Sequence, residues 1–249
     1  MSEVLSIRRQ GDVALLTLHR PAARNALNAK LAQAICDAIP RCRDAGAIVI
    51  TGADPAFCAG LDLRDLGVEH LSDLPRAFDA VRASEVPTIA AVNGPAVTGG
   101  FELALACDFV IGSEHATFAD THVRVGVFPG PVLVDLPRRI GMARAREMSL
   151  TGNFVNAKRA LEFGILNQVV PHQELIPTAL ELASDIADQD QELIAHIRRA
   201  WDATADLPYG DAMATRKEHA LASGSGRRRG QDIAARREQV VRRAKKQRR

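Results

Sequence analysis

The chain has 249 residues, of which 47% are hydrophobic and 25% charged, and a formal net charge of +2. That is the length and composition of one compact globular body with a substantial core and a small appendage, and it excludes a largely disordered chain. No apolar run approaches the roughly 18 to 20 residues needed to cross a bilayer, and the start, MSEVLSIRRQ, lacks the apolar stretch of a secretory signal, so a cytoplasmic protein is expected. Cys36, Cys42, Cys58 and Cys107 are irregularly spaced, which fits free thiols rather than a CxxC metal pattern or a disulfide scaffold.

In chain order, Val4–Ile7 and Val13–Leu18 are β-prone runs around the turn former Gln10-Gly11-Asp12, a hairpin signal. Beyond Pro21, Asn28 is placed to cap a helix whose apolar positions Leu31, Ala34, Ile35, Ala38 and Ile39 repeat at helical spacing. A buried strand follows at Ala47–Ile50. A second, at Thr88–Val92, ends in Asn93-Gly94-Pro95 and leads to a helix over Gly99–Ala106. Short strands at Phe109–Ile111 and Ala116–Phe118 are divided by Gly112-Ser113. Beyond Pro131 the pattern turns helical, over 136–140, 143–150, 157–163, 174–187, 192–204 and 211–222, broken by the short stretch Ile165–Val170. Strands alternating with helices argue an α/β architecture.

Charge is unevenly distributed. From Arg227 to Arg249 there are eleven Lys/Arg against two acids, a local +9 that leaves −7 to residues 1–226. Ser223-Gly224-Ser225-Gly226 is a joint before this last, very basic helix. Such a tail fits a solvated helix end, or cations near an anionic substrate, better than a nucleic-acid arm. The division drawn is a core over 1–190 and a helical C-terminal region over 191–249.

Two glycine-containing loops each follow a buried strand, where α/β folds commonly place binding groups. They are Thr51–Leu63, with Cys58-Ala59-Gly60-Leu61-Asp62, and Asn93–Leu103, with Gly99-Gly100-Phe101-Glu102. Neither matches GxGxxG or GxxxxGK[ST], so a dinucleotide site and a P-loop are not supported. Small residues at Ala59, Gly60, Gly99 and Gly100 let a ligand approach the backbone, whose N–H groups would attract a carbonyl oxygen turning negative. Taken singly, the glycines also fit ordinary turns, and Glu102 fits a first-turn partner of the helix dipole. There is no Gly-x-Ser-x-Gly elbow, no Cys/His dyad, and no HExxH or other metal pattern.

Arg20-Pro21 with Arg24–Asn28, Ile48–Gly52 with Ala56–Leu63, Ala90–Gly94 with Gly99–Ala104, Cys107-Asp108, Phe118-Ala119, Gly126–Gly130 and Leu150–Gly152 stand in the order and spacing of the crotonase (enoyl-CoA hydratase/isomerase) family, which the chain resembles over roughly residues 5 to 240. The resemblance implies a spiral of strand-strand-helix turns with a helical trimerisation region, assembled as a homotrimer or a dimer of trimers. It implies an acyl-CoA substrate, with coenzyme A part of that substrate and no separate cofactor or metal. The N–H groups of Leu61 and Gly99 match the family's oxyanion hole, and Ala59, Leu61, Asp62, Leu63 and Arg64 match the segment along the CoA path. Glu102 matches one of the two catalytic glutamates of the hydratases.

The family's second glutamate is absent: in Phe118–Gly126 its place is taken by His122, which can both accept and donate a proton near neutral pH. Asp120, two residues away, is the rival for that role. Pro129–Asp135 is one residue shorter than the corresponding hydratase segment, which implies an acyl pocket of altered shape. The readings carried forward are an enoyl-CoA hydratase run in either direction, an isomerase or β-dicarbonyl carbon-carbon hydrolase of the same fold, and a catalytically weak acyl-CoA binding protein.

Overall fold

The computed structural model describes residues 4–62 and 74–224, together with Arg237, Val240, Val241 and Ala244. The basic tail expected from Arg227 thus lies almost wholly outside the described residues. The chain divides into two compact units, 1–188 and 189–249.

In the first unit, β1 (Leu5–Gln10) and β2 (Val13–Leu18) form the hairpin, with Gly11 taking a positive φ of 56° that favours glycine. To β2 are added, all parallel, β3 (Ala47–Gly52), β4 (Thr88–Val92), β6 (Phe109–Ser113) and β9 (Gln168–Val170), giving the order β1-β2-β3-β4-β6-β9. These inner strands read as continuous apolar runs because both faces are covered. Ala14, Leu16, Ile48, Ile50, Ala90 and Val92 enter one core. Their neighbours Val13, Leu15, Ala47, Val49, Ile89 and Ala91 enter a second, under α8 (Leu175–Ala187), which buries Leu175, Ala179 and Ala183 there.

A small second sheet, β5 (Pro95–Val97), β7 (Thr117–Ala119) and β8 (Val155–Asn156), turns the chain back across the first core. On that side lie α1 (Ala29–Arg41), capped by Asn28 Oδ1 accepting from Leu31 N–H at 3.0 Å, and α3 (Gly99–Leu105), every residue of which is buried. α2 (Leu74–Arg82), β5, β8 and the one-turn α4 (His122–Val125) were not legible in the pattern. β5 starts on the proline that reads as a turn, and β8 is two residues long. Gly112-Ser113 ends β6 rather than dividing two strands, and α5 (Val132–Ile140) starts four residues earlier than the periodicity suggests. α6 (Met142–Thr151) and α7 (Ala157–Phe163) complete the unit.

In the second unit, α9 (Gln191–Thr204) and α10 (Tyr209–Ala222) pack on each other, with Asp190 capping α9 through Leu193 N–H at 3.0 Å. Neither helix buries a residue, and Trp201, Tyr209 and Leu221 are exposed. Among the described residues no helix is long and apolar enough to cross a membrane.

Candidate active site

The two glycine loops meet backbone to backbone. Cys58 N–H donates to Pro95 O at 3.1 Å, and Val97 N–H donates to Cys58 O at 3.0 Å. A Cβ on Gly100 would stand 2.0 Å from Cys58 O, and one on Gly60 would stand 2.9 Å from Val97 O, so both glycines are required by the approach itself. The first loop is anchored from within by Asn25, fully buried, whose Nδ2 donates to Ala53 O and Ala56 O at 2.7 Å each while its Oδ1 accepts from Arg20 N–H at 2.8 Å.

This packing leaves two N–H groups to spare. Leu61 forms a parallel bridge with Leu27 in which Leu27 makes both bonds, donating to Gly60 O at 2.7 Å and accepting from Asp62 N–H at 2.8 Å. The N–H of Leu61 itself therefore faces away from Leu27. Gly99 is the first residue of α3, and the first N–H groups of a helix have no intrahelical acceptor. Among the described residues neither N–H makes a hydrogen bond. Thr98, immediately before, has φ 51° and ψ −112°, a left-handed backbone that a β-branched residue rarely tolerates and that must be held by its surroundings. Two bonds hold it: Thr98 N–H to Ala119 O at 2.8 Å, and its hydroxyl against that of Thr121 at 2.6 Å.

A cavity of about 120 Å³ opens between these loops and α4, lined by Ala59, Leu61, Thr98, Thr121 and His122, with Val125 and Val127. His122 is 4% exposed, and its Nδ1 lies 2.6 Å from Oδ1 of Asp120, which is 1% exposed. Burial opposes ionisation of Asp120, but the bond from His122 and the nearby Ser149 hydroxyl outweigh it and hold the carboxyl below its ordinary value. Oδ2 of Asp120 makes no hydrogen bond among the described residues, although that hydroxyl is close enough to favour the charged form.

Glu102, 4% exposed, lies on α3 and is not among the residues that line this cavity. Its Oε1 accepts from Val132 N–H at 3.3 Å, and Gly130 leaves room for it, since a Cβ there would lie 3.0 Å from that oxygen. Burial pushes the Glu102 carboxyl above its usual value; the Val132 N–H and His122 oppose this, and the Asp120 charge reinforces it. The short segment Pro129–Asp135 is therefore the clamp on Glu102.

Of the residues singled out by sequence, Ala59, Leu61 and His122 border the cavity, and Gly99 follows Thr98 on its rim. The Asp62 carboxylate is buried against Arg20, 2.9 Å from its Nη2, and its N–H is committed to Leu27 O. Leu63 and Arg64 lie outside the described residues. Asp120 is the hydrogen-bond partner of His122, and the Asp-x-His spacing was the available signal. The Thr98–Thr121 tie and the Val132 clamp had none, since each joins residues that only the fold brings together.

A family model described as enoyl-CoA hydratase/isomerase matches residues 8–228. The carnitinyl-CoA dehydratase of Salmonella paratyphi A is 38% identical over 224 residues, covering 84% of this chain and 84% of the relative. Among solved structures, an enoyl-CoA hydratase from Bacillus anthracis superposes with a TM-score of 0.88 at 28% identity, covering 95% of this chain and 96% of that one. An enoyl-CoA hydratase from Mycobacterium avium does so with a TM-score of 0.75 at 40% identity, covering 92% and 100%.

Proposed function

This chain belongs to the enoyl-CoA hydratase/isomerase family, and from that premise we propose that it is a hydro-lyase adding water to a 2-enoyl-CoA thioester, or removing it from a 3-hydroxyacyl-CoA. The observation that carries the reading is that Leu61, with an unpartnered backbone N–H, and His122 line one cavity, that Gly99, with a second unpartnered N–H, follows the lining residue Thr98, and that the buried Glu102 carboxyl lies within electrostatic reach of His122. Either direction passes through an enolate, whose charge gathers on the thioester oxygen. Donors set in advance where that charge develops are worth roughly 3 to 4 kcal/mol each in acyl-transfer enzymes. Water must meet the β-carbon while a proton reaches its neighbour, which calls for two acid–base groups. Glu102 and His122 are those groups.

The relatives named as a carnitinyl-CoA dehydratase and as enoyl-CoA hydratases support water addition and removal over isomerisation or carbon-carbon cleavage. Coenzyme A enters as part of the substrate, along a path that takes in Ala59, Leu61, Asp62, Leu63 and Arg64. Assembly as a homotrimer or a dimer of trimers belongs to the same reading, with the exposed Trp201, Tyr209 and Leu221 of α9 and α10 as contact surface.

The test is loss of the conjugated enoyl thioester absorbance with short, medium and long 2-enoyl-CoA substrates, with product analysis. A 3-hydroxyacyl thioester is expected, with turnover falling by about 10²- to 10⁴-fold in Glu102→Gln and in His122→Ala. A shifted alkene, or acyl-CoA binding without turnover, would replace the hydratase reading with the isomerase or the binding protein.

A further inference from the structure

We propose that Asp120 is a positioning residue that holds His122 as a single tautomer, Nδ1–H toward the carboxylate, and so presents Nε2 to the cavity as the proton-carrying atom. The proposal rests on the hydratase reading for its catalytic part only.

The argument starts from geometry. The Nδ1–Oδ1 separation of 2.6 Å is at the short end for a bond between an imidazole and a carboxylate, and both groups are nearly sealed from water. A buried carboxylate is an acceptor and cannot donate, so the proton in this bond sits on the ring nitrogen. The neutral imidazole then has its lone pair on Nε2, which makes no hydrogen bond among the described residues while the ring borders the cavity. A buried Asp–His pair can serve structure alone, but then both ring nitrogens are normally engaged with the protein.

The dyad is also tied to the oxyanion side. Thr121, between its two members, shares its hydroxyl bond with Thr98, and Ala119 O receives Thr98 N–H, so the segment that sets His122 also sets the strained residue before Gly99. The other groups around the pair are Glu102 on α3, which carries the second acid–base function, and the Ser149 hydroxyl on α6, on the side of Asp120. His122 with Asp120 thus does the work that a lone carboxylate does in the glutamate pair of the family's hydratases. A histidine without an anchor would divide between two tautomers and several ring positions, and only one of these presents a base to the water.

The experiment uses full-length protein labelled with 15N-histidine. Long-range 15N–1H correlation spectra are recorded at neutral pH for wild type, Asp120→Ala and Asp120→Asn, beside steady-state kinetics with a 2-enoyl-CoA and thermal unfolding. The wild-type His122 signal is expected as one Nδ1–H tautomer. Asp120→Ala should lose that single tautomer. Both variants should lose about 10²- to 10⁴-fold in kcat with KM changed little, while the near-isosteric Asp120→Asn unfolds close to the wild-type temperature. An Nδ1–H tautomer that persists unchanged in Asp120→Ala, or a kcat unchanged in both variants, overturns the proposal. If the wild type turns over no enoyl thioester at all, the hydratase reading falls, and the tautomer comparison alone still decides whether Asp120 positions His122.

Discussion

Residues 58–62 meet 95–100 almost entirely through backbone, whereas the other groups meet through ionisable side chains, Glu102 accepting from the Val132 N–H and His122 bonded to Asp120. The first wall of the cavity depends on what is missing, the Cβ atoms of Gly60 and Gly100 and a hydrogen-bond acceptor for Leu61 and Gly99. It is insensitive to most side-chain chemistry and intolerant of any shift in the main chain. The second wall depends on a few ionisable groups whose character is set by burial and by one another. A protein can exchange such groups and keep its fold, and the histidine at 122 shows where that freedom lies.

The sharpest way to break the comparison is at the contact between the loops. Gly100→Ala would place a Cβ 2.0 Å from the carbonyl oxygen of Cys58, and since that oxygen belongs to backbone neither loop can yield cheaply. Destabilisation at or above about 3 kcal/mol is expected, read by denaturant unfolding, with activity lost alongside. A variant that folds with wild-type stability would mean that the two loops are not rigidly locked.

A smaller effect separates backbone from side chain at one residue. The bridge to Leu27 does not use the N–H of Leu61, so Leu61→Pro removes a donor from the cavity and no bond from the fold. Turnover should fall by about 10²- to 10³-fold in Leu61→Pro, while Leu61→Ala keeps most of it, as comparison of kcat for the two variants will check. Equal losses would assign Leu61 to packing instead.

The smallest effect concerns the second wall and stability. Because burial raises the Glu102 carboxyl, the native state keeps this proton to a higher pH than the unfolded chain does, and between the two values the native state binds more protons. Stability therefore falls as pH rises through that window, from an unfolded value near 4.3 upward. Glu102→Gln removes the liability and should raise the unfolding temperature at pH 8, by roughly 2 to 4 °C for each kcal/mol recovered, with little gain near pH 4. Thermal scans of both proteins at the two pH values measure it. The same substitution is expected to lower turnover by about 10²- to 10⁴-fold, so a stabilised variant with that loss would mark Glu102 as held against its own preference.

Much of the fold was legible in the residues. The β-prone run Val13–Leu18 and the apolar runs at Ala47–Ile50 and Thr88–Val92 read as strands, and Asn28 with the helical spacing of Leu31, Ile35 and Ile39 reads as the start of a helix, because composition, period and capping chemistry are local properties of the chain. The glycines of both loops were visible for the same reason, and resemblance gave Leu61, Gly99 and Glu102 their expected roles and singled out His122. What the tertiary structure alone decided is which groups face one another. It bonded Asp120 to His122, committed the Asp62 carboxylate to Arg20, tied Thr98 to Thr121 and set Val132 on Glu102. Three of these four contacts span 23 to 42 positions of sequence. Hydrogen bonding and burial act over a few ångströms of space whatever the separation along the chain, so no local pattern encodes them.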